Sequence, residues 1–300
     1  MVARRYFIDD KQKNEIAEEF GISRFKVARL LEEARASGIV RIYVDMPSEV
    51  DLPLGEQVAR KFGIRRVIAV RTLDDDPTLV ASVTGAAAAQ YLSSSVGSGD
   101  VLGISWGHSL TYTVDAVTQL ASTDIVQLVG GLGAGELDIS GVELVRRLSE
   151  KTGGQAFPLH APLLVRTPAM ARELRDDPSL RAAIGRFSSL TVAAVGVGSW
   201  VPPKSTLYRE FTEIEREELL ASGATADICA IVLDHDGNPI VAEALDRAVG
   251  ITAEELRRVP EVIAIAGGRE KTEAIVASLK SGIINTLVTD SLTASRLLLS

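Results

Sequence analysis

Apolar and polar positions divide the chain into two regions of different rhythm. Over residues 13–36 the apolar residues recur at helical spacing: Ile16, Ala17 and Phe20 share one face, Gly21 interrupts the pattern, and Val27, Leu30, Leu31 and Ala34 resume it. Ser23 stands where a side-chain oxygen would cap the second helix, and Gly38 stands where that helix would end. Val40, Ile42 and Val44 then alternate with the period of a short strand. Pro47 and Pro53 enclose the polar stretch PSEVDLP, so residues 47–53 are expected to be a linker between a domain of residues 1–46 and one of residues 54–300.

From Leu54 onward, short β-rich runs alternate with amphipathic segments. The expected strands are Arg66–Val70, Val101–Ser105, Ile125–Val129, Leu190–Val197, Ile228–Leu233, Val262–Ala266 and Thr286–Thr289. The expected helices include Ala81–Leu92, His108–Leu120, Val142–Glu150 and Lys271–Leu279. This alternation predicts an α/β body, a mostly parallel sheet with helices on both faces. No internal repeat or low-complexity tract interrupts it.

Composition narrows the function classes. At 300 residues, 46% hydrophobic and 24% charged, the chain has ample material for a core. No apolar run approaches the roughly 18 residues that would span a bilayer. Asp9, Asp10 and Lys11 arrive where a secretory leader needs its apolar stretch, so a soluble protein in the cytoplasm, without a membrane partner, is expected. The one cysteine, Cys229, allows no internal disulfide and sits in an apolar run as a buried small residue would. His108, His160 and His235 are scattered, so neither a metal site nor a cofactor is expected. The net charge of −8 is unevenly spread: nine Lys/Arg face eight Asp/Glu in residues 1–45, against 23 and 32 in the remainder. A DNA-reading head on an acidic body fits that division.

Helix, glycine turn and Ser-capped helix form the helix-turn-helix pattern, whose second helix enters the major groove. Between Ser23 and Leu30 every charge is positive, whereas Glu15, Glu18 and Glu19 lie on the preceding helix. The candidate DNA-binding residues are therefore Ser23, Arg24, Phe25, Lys26 and Arg29, with Phe25 and Ala28 as apolar neighbours of Lys26 and Arg29. A helical hairpin with a solvated basic face is the plainer alternative.

The stretch GISWGHSL, residues 103–110, is the second candidate site. A strand ending near Ser105, a glycine at 107 and a helix starting at His108 would present the successive backbone N–H groups of a helix N-terminus, a favourable place for a phosphate. Ser105, Gly107, His108, Ser109 and Leu110 are the residues of this cradle. Ser109 adds a hydroxyl, and His108 adds a proton and a charge if it lies at the rim. Trp106 either stacks on a ligand or fills core.

The segment NEIAEEFGISRFKVARLLEEARASGIVRI resembles the winged head of SorC-type sugar-binding transcriptional regulators. The matching positions include Ile16, Ala17, Ile22, Ser23, Arg24, Val27, Arg29, Leu30, Leu31, Gly38, Ile39 and Val40. Ala28 stands where that family usually has serine, and about ten residues precede the first matched helix, where the family has a fuller supporting helix. The resemblance continues through GDVLGISWGHSL, VQLVGGLG, GVGS, DHDGNPI, IAIAGGREKTEAI and LVTDSLTASRLL, in family order.

The resemblance implies a winged helix-turn-helix followed by a Rossmann-like effector domain, similar to sugar-phosphate isomerases, that binds a phosphorylated sugar or polyol. It also implies a homo-oligomer, commonly a tetramer, on operator DNA of a carbohydrate-utilisation operon. By the same resemblance Gly130, Gly131 and Gly133 form a wall of the sugar pocket, and Lys271 faces it; a plain loop and a solvated lysine are the alternatives. Asp234 and Asp290 follow strands and are placed to accept sugar hydroxyls, although Asp234 also suits the start of a turn. No catalytic residue is expected. An isomerase would need a base and an acid near the bound phosphate, and Asp234, His235 and His108 are the candidates for that reading. A scaffold whose head binds a protein is the third.

Overall fold

Two units divide the chain, Met1–Pro47 and Ser48–Ser300. The structure, a computed structural model, describes residues 1–37, 39–40, 49–132 and 140–300.

In the first unit, helices α1 (Val2–Phe7), α2 (Lys13–Phe20) and α3 (Arg24–Ala36) enclose a small core. Ile16 and Val27 are fully buried with Leu31 beside them, and Tyr6, Phe7 and Phe20 pack around that centre. Local signals set the helix ends. The Glu15 carboxylate accepts the Gln12 N–H at 2.7 Å at the start of α2, and Gly21, at φ 62°, closes it by donating to the carbonyls of Ala17 and Glu18. The Ser23 hydroxyl accepts the Lys26 N–H at 3.2 Å and so caps α3. Helix α1 is too short for its periodicity to be read in advance; Arg5 ties it to α2 by an ion pair with Glu19 at 2.6 Å. Of the expected strand, Ile42 and Val44 lie outside the described residues, as does Gly38.

The second unit begins with helix α4 (Leu52–Phe62), strand β1 (Arg66–Val70), α5 (Pro77–Ser95), β2 (Val101–Ile104), α6 (His108–Ala116), β3 (Asp124–Gln127), α7 (Gly141–Thr152) and β4 (Ala156–Phe157). It continues with α8 (Pro168–Asp176), α9 (Arg181–Ile184), β5 (Val192–Gly196), β6 (Gly198–Ser199), α10 (Glu213–Ala221), β7 (Ala226–Ile228) and β8 (Ile231–Leu233). Helix α11 (Ala253–Arg257), β9 (Glu261–Ile265), α12 (Thr272–Lys280), β10 (Thr286–Asp290) and α13 (Ser291–Leu299) complete it.

Seven strands form one parallel sheet in the order β1-β10-β9-β5-β2-β3-β4. Alternate residues of each strand feed the two faces. Ala193 and Val195 of β5 join α4, α12 and α13 on one side, while Val192 and Ala194 join α5, α6 and α7 on the other. Burial on both faces explains why the central strands read as continuous apolar runs. From β2 the chain steps outward through β3 to β4, then returns to the other flank of β2 with β5. That reversal opens a crevice at the carboxyl ends of β2 and β5, where ligands of open α/β sheets bind.

Three expectations are corrected. Residues 228–233 are not one strand: β7 and β8 form an antiparallel hairpin that turns at Cys229 and Ala230, with φ of 51° and 64°. Both turn residues carry side chains in left-handed backbone, so neither glycine nor asparagine marks the turn. The linker does not extend to residue 53, because Val50 bridges Val70 and the Asp51 carboxylate caps α4 by accepting the Leu54 N–H at 3.1 Å. Helix α6 stops at Ala116 rather than Leu120, where the Lys151 ammonium donates to the carbonyls of Val114 and Val117 at 2.6 Å each.

Helix α6 is held close to α5 at Gly85. A Cβ there would stand 2.6 Å from the Tyr112 Cβ and 2.9 Å from the Thr113 nitrogen. Gly85→Val is expected to lower the unfolding free energy of the body by about 1–3 kcal/mol through overpacking, measured by urea denaturation.

Candidate functional site

Strand β2 delivers the chain to the crevice. The Ser105 N–H still donates to Ala194 at 3.1 Å, and Gly107 then takes φ 138° and ψ 163° to turn directly into α6. The first intrahelical bond of α6 runs from the Thr111 N–H to the Gly107 carbonyl at 3.0 Å, which leaves the amides of His108, Ser109 and Leu110 without helical partners. Among the described residues no side chain caps this end. The positive end of the α6 dipole therefore faces the crevice with its donors unspent.

The opposite wall comes from the ends of β5, β6 and β7. Gly196, Val197 and Gly198 pass along it, and a Cβ at Gly198 would collide with the Asp227 carboxylate. That glycine admits Asp227, which is 8% exposed and accepts the Trp200 indole N–H at 3.0 Å. Burial pushes the Asp227 carboxyl up from its ordinary pKa, against the opposing effects of Ser205, Trp200 and the Lys271 charge. The Ser205 hydroxyl is close enough to act on Asp227, yet it is buried without a hydrogen bond of ordinary geometry.

Lys271 closes a 3-10 turn (Arg269–Lys271) and donates to the Val197 carbonyl at 2.9 Å. Burial pushes its pKa down and the charge of Asp227 pushes it back up. The Cys229 thiol also lines the crevice and is pushed up to about 12, chiefly by burial, so it stays a neutral thiol.

The crevice has a narrow inner part of about 80 Å³, under the α6 N-terminus, and an outer cleft of about 640 Å³. His108, Ser109, Lys204 and Lys271 line both. The outer part adds Arg209, Arg269 and the start of α5. Two of the carboxylates at its rim are paired: Glu270 holds Lys204 at 3.0 Å, and Asp75 takes both arms of Arg296. Four Lys/Arg thus line the crevice against Asp75, Asp227 and Glu270, in a body where acidic residues outnumber basic ones.

The structure brings Ser105, Gly107, His108, Ser109, Leu110 and Lys271 together along this crevice. Four other expected effector residues stand elsewhere, and one cannot be placed. Asp290 is fully buried; its two oxygens accept the N–H groups of Thr293 at 2.8 Å and Gly268 at 2.9 Å, so it caps α13 instead of meeting a ligand. Asp234 accepts the N–H groups of Asp236 and Asn238 at 2.9 and 2.8 Å and builds the turn after β8. Gly130 and Gly131 donate to Val249 and Ala161 at 2.8 Å each, and a Cβ at Gly130 would meet the Pro162 carbonyl, so these glycines serve backbone packing. Gly133 lies outside the described residues.

Trp106 packs against both faces of the sheet, lines the crevice and donates to the Gly130 carbonyl at 3.0 Å. The acid and base candidates are not assembled: the His235 side chain is 75% exposed beside Asp236, away from His108. Sequence reasoning missed Asp227, Lys204 and Ser205. Asp227 alone left a signal, a single carboxylate at the start of an apolar run.

In the first unit, Arg24, Phe25, Lys26 and Arg29 are all exposed on α3. Arg29 pairs with Glu33 at 3.3 Å, and among the described residues no ion pair engages Arg24 or Lys26. The described residues contain neither a group of three or more His, Cys, Asp or Glu placed to hold a metal ion nor a helix long and apolar enough to cross a membrane.

Comparison with known proteins agrees with this architecture. The family described as "Putative sugar-binding domain" matches residues 47–299. The transcriptional regulator LsrR of an Enterobacter species is 31% identical over 99% of this chain and 91% of its own length. The deoxyribonucleoside regulator of Bacillus subtilis is 28% identical over 98% of this chain and 95% of its own. The full-length sorbitol operon regulator SorC of Klebsiella pneumoniae superposes with a TM-score of 0.76 at 26% identity, covering 99% of this chain and 97% of that one. A three-layer body with a crevice at the reversal of its sheet, matched over nearly its whole length by the sugar-binding family, places this chain among the SorC-type sugar-binding transcriptional regulators.

Proposed function

We propose that the protein controls an operon for carbohydrate use by reading operator DNA with α3 and by binding a phosphorylated sugar or polyol in the crevice of its body. The observation that carries the ligand assignment is the uncapped N-terminus of α6, opening on a cation-lined crevice within an acidic body. Phosphate oxygens would accept from the free amides of His108, Ser109 and Leu110, with the Ser109 hydroxyl and Lys204 beside them. The sugar hydroxyls would meet Asp227 and Lys271, which face the same space. A proton-transferring enzyme is disfavoured because its acid and base candidates lie apart.

On the head, Arg24 and Lys26 are exposed toward phosphates and base edges and Arg29 would exchange its exposed ion pair with Glu33 for such a contact, while the Ser23 hydroxyl is engaged in holding the helix start. A symmetric operator needs two such heads at fixed separation, which is the reason to expect a homo-oligomer. Ligand occupancy then shifts the population of head arrangements, to the extent that the ligand binds one arrangement more tightly.

A thermal-shift screen of sugar and polyol phosphates tests the ligand class: a true ligand at a hundred times its Kd should add about 2.7 kcal/mol of stability. Ser109→Asp puts a negative charge among the α6 amides and is expected to abolish that shift while leaving DNA binding intact. An unchanged shift would remove the phosphate from this position.

Arg29→Ala is expected to cost about 1–3 kcal/mol of operator affinity and to relax preference at one base position, read by fluorescence anisotropy. Asp227→Asn tests the buried carboxylate. Because the folded pKa of Asp227 lies above its unfolded value, the wild-type fold binds the extra proton and loses stability as pH rises through that folded pKa. The stability of the Asn variant relative to wild type should therefore rise between pH 4 and pH 8 in urea denaturation, while binding of a sugar phosphate weakens.

A further inference from the structure

Helix α3 exposes one large apolar side chain. Phe25 is 87% exposed, although the head has a closed core of Ile16, Val27 and Leu31 on the other side of the helix. It is the second residue inside the Ser23 cap, on the turn that a helix-turn-helix aims at base edges. Helical spacing sets Phe25, Ala28 and Arg29 on one face, at i, i+3 and i+4. The two immediate neighbours of Phe25 are exposed cations, Arg24 and Lys26. An apolar pair enclosed by positive charge does not suit an apolar partner surface, which would have to desolvate all three cations. It suits a polyanion that also presents an apolar group. The thymine C5-methyl in the DNA major groove is such a group, and apolar side chains read it by contact.

We infer that Phe25, supported by Ala28, is a specificity-determining residue that packs on a thymine methyl in each operator half-site, next to the base contacted by Arg29. This contact rests on the reading of α3 as the recognition helix and adds to it an apolar component that the cations cannot supply. Arg24 and Lys26 set affinity through phosphates, and the methyl contact sets preference at one position.

The test uses the full-length protein. Its preferred sequence is selected from a random duplex library, and every thymidine in the selected site is then replaced singly by deoxyuridine, which removes the methyl and nothing else. One position per half-site should lose about fourfold in affinity, the worth of burying a single methyl group. Phe25→Ala should bind the original site more weakly and lose the sensitivity at that position, whereas Phe25→Leu should keep part of it. Since Phe25 is 87% exposed, both variants should melt with the wild type.

The contact is overturned if no thymidine is sensitive, or if the sensitivity persists in Phe25→Ala. It is also overturned if Phe25→Ala changes the sedimentation coefficient while leaving DNA binding alone, since Phe25 would then pack against a second copy of the chain. A library from which no sequence is enriched would overturn the recognition-helix reading itself. That result differs from a selected site indifferent to its methyl groups.

Discussion

The body depends on one electrostatic constraint: a helix of nine residues ends, at its positive pole, over the point where the sheet reverses direction, and among the described residues no side chain caps that pole. Among the described residues, seven other helices are capped by a side chain at this end, whereas α1, α7, α9 and α12, like α6, are not. Ser23, Asp51, Asp76, Thr167, Thr212, Thr252 and Asp290 each accept a backbone N–H at the start of their helices. At α6 the capping position is held by Gly107, which has no side chain to offer and a backbone angle that other residues rarely adopt. The opposite pole of the same helix is treated differently, since Lys151 donates to three carbonyls there. One end is neutralised internally and the other, among the described residues, has no side-chain cap.

Charge around the crevice follows from the same constraint. Asp227 and Lys271 are both desolvated, and each shifts the other toward its charged form without direct contact. Gly198 gives up its side chain so that the carboxylate can enter, and Ser205 presents a buried hydroxyl without a settled partner. Together these groups make an arrangement less favourable alone than with polar ligand atoms among them, since unpaired buried polar groups carry a desolvation cost. Cooperation between ligand binding and body stability therefore has a structural source, independent of any movement of the helices.

How much of this was legible in the sequence varies by element. Strands buried on both faces and bounded by charged or glycine positions were plain, and β1 begins and ends where its residues predict. The cradle was legible because Gly107 stands directly between an apolar run and a helical one, with every participant inside eight residues. The β7–β8 hairpin was not, because Cys229 and Ala230 turn the chain in left-handed backbone without a turn residue to announce it. Asp227 was hidden by that misreading: just ahead of a single strand starting at Ile228 it looks like a flanking charge, whereas within β7 of a hairpin it lines the crevice. Asp290 and Asp234 failed in the opposite direction. An aspartate after a strand is equally good as a ligand contact and as a cap or turn former, and its local backbone decides the matter.

The division of charge between the units gives the two sites different physics. The acidic body repels nucleic acid over distances of about a Debye length, roughly 8 Å at physiological salt, so binding to DNA through its general surface is disfavoured. The head, near neutrality overall, gathers Arg24, Lys26 and Arg29 toward the start of α3, with Glu32 and Glu33 toward its end; the proposed duplex surface is that positive start. In the body the same economy operates in reverse, with a local positive crevice set in a negative field. A small anion there would meet the α6 dipole and the lining cations within a few ångströms, where they outweigh the screened field of distant carboxylates. A long polyanion could not follow without bringing its remaining charges against the acidic surface. Local arrangement rather than net charge would thus direct the two proposed anionic partners to different parts of one chain.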